Sequence, residues 1–68
     1  MTVMKIIELV GSSNKSWQEA AENAVKEASI TVRNIVGVDV TGWTAKVEKN
    51  KIVSYKANVK LAFVAERP

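Results

Sequence analysis

The side chains that could do chemistry in this chain are carboxylates, lysines and aromatic rings, because its 68 residues include no cysteine and no histidine. That absence removes the commonest general base, the commonest zinc ligand and the usual nucleophilic dyads. The carboxylates outside the predicted helix are scattered, without the spacing of an acid–base pair or a metal site: Glu8, Asp39, Glu48 and Glu66. We therefore expect a protein that is not an enzyme.

Lysines are concentrated towards the end of the chain, at Lys46, Lys49, Lys51, Lys56 and Lys60. The net charge is +3 and the pI is about 9.5, but no two basic residues are adjacent. Such lysines are typical of a solvated face that protects a sheet edge from unwanted pairing. We expect no nucleic-acid partner. Weak nucleic-acid binding by this lysine-rich segment, or an acidic ligand at Lys56, stays open as an alternative.

Hydrophobic patterning predicts the elements that position these groups. Val3–Val10 is rich in branched apolar residues and predicts a strand, and the segment GSSNKS follows as a loop. Ser16 and Glu19 have the spacing of a capping box, which marks the start of a helix. Apolar residues at three- and four-residue spacing continue that helix to about Val32.

Two long strands follow the helix. Ile35–Val47 is the second predicted strand, and the turn after it occupies Glu48–Lys51, with Asn50 as the residue expected at positive φ. Ile52–Ala65 is the third predicted strand, and within it the apolar residues from Val53 to Leu61 alternate with polar ones at a period of two, which is the clearest signal in the chain. The order predicts one domain over residues 1–68, of β-α-β-β type with a long final hairpin.

The predicted helix is too short to cover the predicted strands. About 16 helical residues span ~24 Å, whereas strands of about 13 residues span ~43 Å. The apolar face of Ile52–Phe63 must therefore extend beyond the helix, and such a surface on a lone subunit promotes aggregation. A chain this short, without a disulfide, also has few other ways to become stable. We therefore expect association with further copies of itself.

The opening segment MTVMKIIELVG contains a short apolar run that Lys5 and Glu8 interrupt. A signal peptide or membrane span needs a longer uninterrupted apolar core. We therefore expect a cytoplasmic protein without a membrane partner, and the lack of cysteine is compatible with that location.

The element order, together with IELVGSSNKSWQEAAENAVKEASITVRNI and SYKANVKLAFV, resembles the dodecin family over nearly the whole chain. The resemblance rests on features that occur in the same order. These are a strand that ends in ELVG, a Ser-rich turn, a helix that begins with a serine followed by an aromatic residue, the pair Arg-Asn after the helix, and a last strand that contains Tyr and Phe. It implies an α+β fold in which a three-stranded antiparallel sheet curves around one helix, and a hollow homododecamer. It also implies paired flavins, FMN or riboflavin, bound at subunit contacts for storage and photoprotection rather than turnover.

The residues at the family's flavin positions are replaced in this chain. Gly37 stands where a stacking tryptophan is expected, and Lys56 stands where a glutamine hydrogen-bonds the ring edge. Thr44 and Val64 stand where many bacterial members carry arginines that reach phosphate groups. Since stacking on an aromatic contributes ~1–3 kcal/mol per ring, we expect this site to bind flavin poorly.

Trp43 is the remaining candidate for a ring platform, by which we mean an aromatic side chain on which a flavin ring can stack. On a regular strand Gly37 and Trp43 share a face, but six residues place them ~20 Å apart. A bulge at Gly42 would change the direction of the Trp43 indole. Subunit symmetry could also bring Trp43 of a neighbouring subunit to the position of Gly37. The alternative is a tryptophan that packs at a sheet or subunit interface.

The function predicted from these observations is small-molecule binding or storage by a non-enzymatic, dodecin-like oligomer whose flavin site is degraded. Two alternatives stay open: a structural shell that binds only ions at its symmetry axes, and a weak nucleic-acid binder. For the ion alternative, Asp39 is the candidate ligand, because a symmetry axis can gather one carboxylate from each subunit.

Overall fold

The last strand, whose apolar and polar residues alternate, lies at the centre of the sheet. The computed structural model describes residues 3–65, and its elements are β1 (Val3–Ser13), α1 (Trp17–Ala28), β2 (Ile35–Glu48) and β3 (Lys51–Ala65). β3 pairs antiparallel with both other strands, which gives the order β1-β3-β2. The predicted β-α-β-β order, the antiparallel three-stranded sheet and the single helix are confirmed.

The loop before α1 is organised by two serines. The Ser16 hydroxyl accepts the Glu19 N–H at 3.0 Å, so this half of the predicted capping box is confirmed. The Ser16 N–H is used differently from the prediction, because it donates to the Ser13 hydroxyl at 3.4 Å rather than to the Glu19 carboxylate. Ser13 is buried and also accepts the Lys15 N–H at 2.9 Å. β1 therefore continues past its predicted end at Val10 into this turn.

α1 ends at Ala28, one turn before the predicted end near Val32. The Ser29 hydroxyl donates to the Lys26 carbonyl oxygen at 2.7 Å, and the β-branched residues that follow have low helix propensity. At 12 residues, α1 is not long or apolar enough to cross a membrane, and the same holds for any helix within residues 3–65.

Lys49 and Asn50 form the turn between β2 and β3. Both have positive φ, at 51° and 65°, as a two-residue type I′ turn requires. The sequence predicts a positive φ at Asn50 alone, because lysine has no preference for the left-handed region. Lys49 adopts it because the short connection between two long paired strands requires it.

α1 packs closely against β1 and β3 through small side chains. The buried core is Ala20, Ala24, Ala28, Ala57, Val59 and Leu61. A Cβ on Gly11 of β1 would collide with the Ala20 carbonyl oxygen and would lie only 2.9 Å from the Ala24 Cβ. Glycine at position 11 therefore permits the close approach of helix and sheet.

The hairpin of β2 and β3 extends well beyond α1. The 12 residues of α1 span ~18 Å, whereas the 15 residues of β3 span ~50 Å, and the subunit measures 53 × 20 × 13 Å. Near the turn, Val47, Ile52 and Val53 are 61%, 47% and 40% exposed. The predicted mismatch in length between helix and strands is confirmed.

Candidate functional site

The sheet has one face that α1 leaves uncovered, and we call it the open face. On β3, Ala57, Val59 and Leu61 are buried against α1, and the residues between them therefore point the other way. Antiparallel pairing places their partners on β1 and β2 on the same face. From β3 the open face carries Lys56, Asn58, Lys60 and Ala62.

Two bulges in β2 decide which of its residues reach the open face. The pairing with β3 shifts between Ile35 and Gly37, and it shifts again between Val40 and Gly42. At the second shift the Thr41 hydroxyl donates to the Asn58 carbonyl oxygen at 3.1 Å. The bulge predicted at Gly42 is confirmed, and Thr41 is its extra residue.

Gly37 and Trp43 consequently lie on opposite faces of the sheet. Gly37 pairs with Ala62 on the open face, whereas Trp43 pairs with Ala57 on the α1 side. The prediction that the two residues share a face is wrong, because the extra residue at Thr41 reverses the alternation along β2. The Trp43 indole of a subunit therefore cannot act as a ring platform at its own Gly37.

A shallow cleft of about 580 Å³ lies on the open face beside Gly37. A Cβ built on Gly37 would meet only the Ala62 Cβ, at 3.9 Å, which is ordinary van der Waals contact. The position therefore has room for a side chain that this chain does not supply. The lining residues are Ile6, Glu8, Gly37, Val38, Asp39, Lys60 and Ala62.

The charged residues of the cleft lie side by side across the three strands. Lys60 of β3 pairs with Glu8 of β1 and with Asp39 of β2. The Lys60 Nζ lies 3.7 Å from the Glu8 Oε1. The sequence pattern identifies Asp39 but not Glu8 or Lys60, because their place in the cleft depends on the register between β1 and β3. The signals that could have found them are that Glu8 interrupts the apolar run of β1 and that Lys60 is a polar position in the alternation of β3.

The other predicted site residues lie further along the hairpin. Lys56 pairs with Thr44 of β2 and with Ser12 of β1 on the open face. Ala62, the partner of Gly37, lies six positions along β3 from Lys56, or ~20 Å along the strand. Within one subunit the structure therefore brings Gly37 together with Asp39, and Lys56 together with Thr44, but it does not join the two pairs.

All the aromatic rings of the chain lie away from the open face. The Trp17 indole N–H donates to the Thr44 carbonyl oxygen at 2.8 Å, and its ring meets that of Tyr55 edge-on at 4.7 Å. Phe63 and Trp43 also alternate onto the α1 side. The open face therefore offers no stacking surface of its own.

Trp43 lies in an apolar groove between α1 and β2. Its side chain is 52% exposed, and Ala21, Val25 and Val38 form the apolar lining beside it. Gln18, Glu22 and Lys26 of α1 complete the rim. This position suits packing against another surface better than ring binding at Gly37.

Asp39 is exposed, and no other carboxylate lies beside it within the described chain. Across residues 3–65 no three carboxylates come close enough together to hold a metal ion. Glu8 lies two strands away, at ~10 Å, with Lys60 between, and Glu66 lies outside the described residues. A cation site at Asp39 stays a prediction, because it requires carboxylates from symmetry-related subunits.

The fold and the cleft together define a class of small β-α-β-β subunits with one helix and an uncovered sheet face. The dodecin family model matches residues 3–66. Calcium dodecin of Mycobacterium tuberculosis is 30% identical over 63 residues, which are 93% of this chain and 89% of that protein. The chain therefore belongs to the dodecin family.

Solved structures agree with this assignment. Dodecin from Streptomyces coelicolor superposes with a TM-score of 0.94 at 28% identity, and the match covers 98% of this chain and 96% of that one. The crystal structure of M. tuberculosis calcium dodecin, described as calcium chelating, matches with a TM-score of 0.82 at 30% identity. That match covers 97% of this chain and 93% of the other.

Proposed function

We propose that this chain forms a non-enzymatic oligomer that binds small molecules in the cleft beside Gly37. The observation that carries the proposal is the space at that residue, where an added Cβ would meet nothing nearer than 3.9 Å. By the family resemblance this is the position of a ring-stacking tryptophan. The loss of that side chain leaves a recess with an apolar floor and charged residues at its edge.

Flavin is a poor ligand for this recess in our proposal. Stacking on an aromatic contributes ~1–3 kcal/mol per ring, and the chain's aromatic side chains lie on the α1 side. A paired site loses that contribution in both halves. We therefore expect flavin affinity at least about tenfold below that of the same cleft with its platform restored.

Self-association completes the proposal. The subunit buries a small core and leaves large apolar side chains exposed on both sheet faces, among them Ile6 at 57% and Val10 at 63%. Copies of the chain can cover these surfaces without any other partner, and the family resemblance implies a homododecamer. Residues from neighbouring subunits would then bring the Gly37 and Lys56 positions closer than one subunit does.

The test of this proposal introduces a tryptophan at position 37 and measures flavin binding. Riboflavin and FMN are titrated by fluorescence quenching into the wild-type protein and into the double variant Gly37→Trp with Lys56→Gln. We expect little quenching by the wild type and a gain of about tenfold or more in the variant, because stacking and the ring-edge hydrogen bond return.

Val10→Trp with Lys56→Gln is the matched control, because it adds an indole to the open face away from Gly37. It should not gain flavin affinity. A correctly assembled Gly37→Trp, Lys56→Gln variant without any gain would contradict the assignment of the site, as would wild-type protein that binds flavin equally well.

A further inference from the structure

The groove between α1 and β2 leaves apolar side chains in contact with water. Trp43 and Val38, on its β2 side, are 52% and 50% exposed. Ala21 and Val25 of α1 form the opposite wall, and the groove has a volume of about 560 Å³. Large apolar side chains that are exposed together indicate a surface that another protein surface covers.

The end of the β2–β3 hairpin carries a second apolar surface, and we call residues 46–52 the hairpin end. Val47 lies four residues beyond Trp43, and therefore on the same face of β2, and it pairs with Ile52. Val47 is 61% exposed and Ile52 is 47% exposed. Because β2 runs straight on from the groove, Val47 lies ~13 Å beyond Trp43. The hairpin end therefore cannot enter the groove of its own subunit.

The groove lies beside a helix with an excess of negative charge. α1 contains three glutamates and one lysine, a formal charge of −2. Glu22 and Lys26 lie on the rim of the groove, and Glu19 lies near Glu22 on the outer surface of the helix. The negative charge is therefore concentrated on the part of the rim nearer the start of α1.

The hairpin end carries the opposite charge. It contains three lysines and one glutamate, a formal charge of +2. The Lys46 Nζ lies 3.3 Å from the Glu48 Oε2, whereas Lys49 and Lys51 have no ion-pair partner within residues 3–65. The two lysines nearest the turn therefore supply the excess positive charge.

We propose that the hairpin end of one subunit docks in the α1–β2 groove of a second copy of this chain. Val47 and Ile52 pack against Trp43 of the second copy, and Lys51 lies near its Glu22. A second copy is the occupant that fits, because the chain itself carries both the apolar hairpin end and the groove, with opposite charges beside them. The inference rests on the self-association in the proposed function and adds the contact that produces it.

This contact joins the subunits head to tail. The two copies use different surfaces, so each subunit binds one neighbour through its hairpin end and another through its groove. Repetition of such a contact gives a closed ring rather than a symmetric pair when the rotation between subunits closes. It covers the α1 side of the hairpin and leaves the cleft on the open face free for other contacts.

Disulfide trapping tests the contact, because the chain has no cysteine of its own. Glu22→Cys with Lys51→Cys places one thiol on the groove rim and one on the hairpin end. The assembled protein is oxidised and separated on a non-reducing denaturing gel. A disulfide needs Cα atoms within ~7 Å, whereas Lys51 lies ~17 Å beyond Trp43 in its own subunit. We expect covalent species larger than a dimer, because each subunit is linked to two neighbours.

Glu27→Cys with Lys51→Cys is the matched control. Glu27 is also an exposed glutamate of α1, but it lies on the side of the helix next to β1. This variant should form few disulfides. Equal cross-linking of the two variants, products that stop at dimers, or an assembled Glu22→Cys, Lys51→Cys protein without disulfides overturns the head-to-tail contact alone. Wild-type protein that is a single subunit overturns the proposed self-association as well.

Charge exchange at the same positions shows whether the trapped contact supports the assembly. Lys51→Glu should lower the urea concentration at which the assembly dissociates in sedimentation velocity at low salt, because it brings like charges together. Adding Glu22→Lys should recover about half of that loss or more, whereas adding Glu27→Lys should recover none. The absence of a loss with Lys51→Glu, or equal recovery by both second substitutions, contradicts the proposal.

Discussion

Gly11 and Gly37 are glycines for different physical reasons. At Gly11 a Cβ would run into the backbone of α1 at Ala20, so the residue is required by the packing of helix on sheet. At Gly37 a Cβ would have room, and its φ is not in the left-handed region. Gly37 is therefore not required by its immediate surroundings, which is compatible with the ligand site that we propose there.

This difference predicts opposite outcomes for the same substitution. Gly11→Ala should lower the free energy of unfolding by about 1–3 kcal/mol, because the added methyl group overpacks the contact with α1. Gly37→Ala, the matched control, should change it by no more than about 0.5 kcal/mol. Urea unfolding at one fixed protein concentration measures both. Equal effects at the two positions would contradict the account of Gly11.

At the residue scale, the sequence predicts identities better than orientations. The sequence names Gly37 and Asp39 as candidate site residues, which stay predictions, and the structure places both beside one cleft. The face of Trp43 was predicted wrongly, because Thr41 gives no local sign that it is an extra residue in the strand. The position of a bulge depends on how two strands pair, and the order of apolar and polar residues in one strand does not show that pairing.

In the turn between β2 and β3, Lys49 adopts a backbone conformation that lysine does not favour. Lys49 adopts a φ of 51°, in a region that costs most residues roughly 1–2 kcal/mol. Lys49→Asn with Asn50→Gly supplies the pair that type I′ turns favour. We expect the free energy of unfolding to rise by about 1 kcal/mol, measured by urea unfolding.

Lys51→Asn is the control for that substitution, because it makes the same charge change at the first residue of β3, which lacks a positive φ. It should bring no increase in stability. If Lys51→Asn stabilises the protein as much as the turn variant, the benefit comes from charge and the conformational explanation is wrong.

Element order and type were predictable because the helix and the strands differ in their pattern of apolar residues. β3 alternates apolar and polar residues from Val53 to Leu61, β1 is a short, mostly apolar run, and α1 repeats alanines at helical spacing. The ends were less predictable, because they depend on individual hydrogen bonds. Ser13 holds the loop before α1, and Ser29 caps its last turn. Neither contact has a sequence signature as specific as the Ser16 cap.

At the scale of the whole molecule, the two faces of the sheet have different roles. α1 covers part of one face and leaves an apolar hairpin extension beyond it, with Val47 and Ile52 exposed. The other face carries the cleft at Gly37 and exposed apolar residues of β1. A lone subunit leaves all of these surfaces in water, so we expect a stable protein to require neighbouring copies. We propose that the same neighbours complete the binding site at Gly37.

Native mass spectrometry of the purified protein, supported by sedimentation velocity at micromolar concentration, tests this requirement most directly. The account predicts one assembled species with the mass of a dodecamer of the 7.4 kDa chain. A soluble, folded single subunit of 7.4 kDa at that concentration would contradict it.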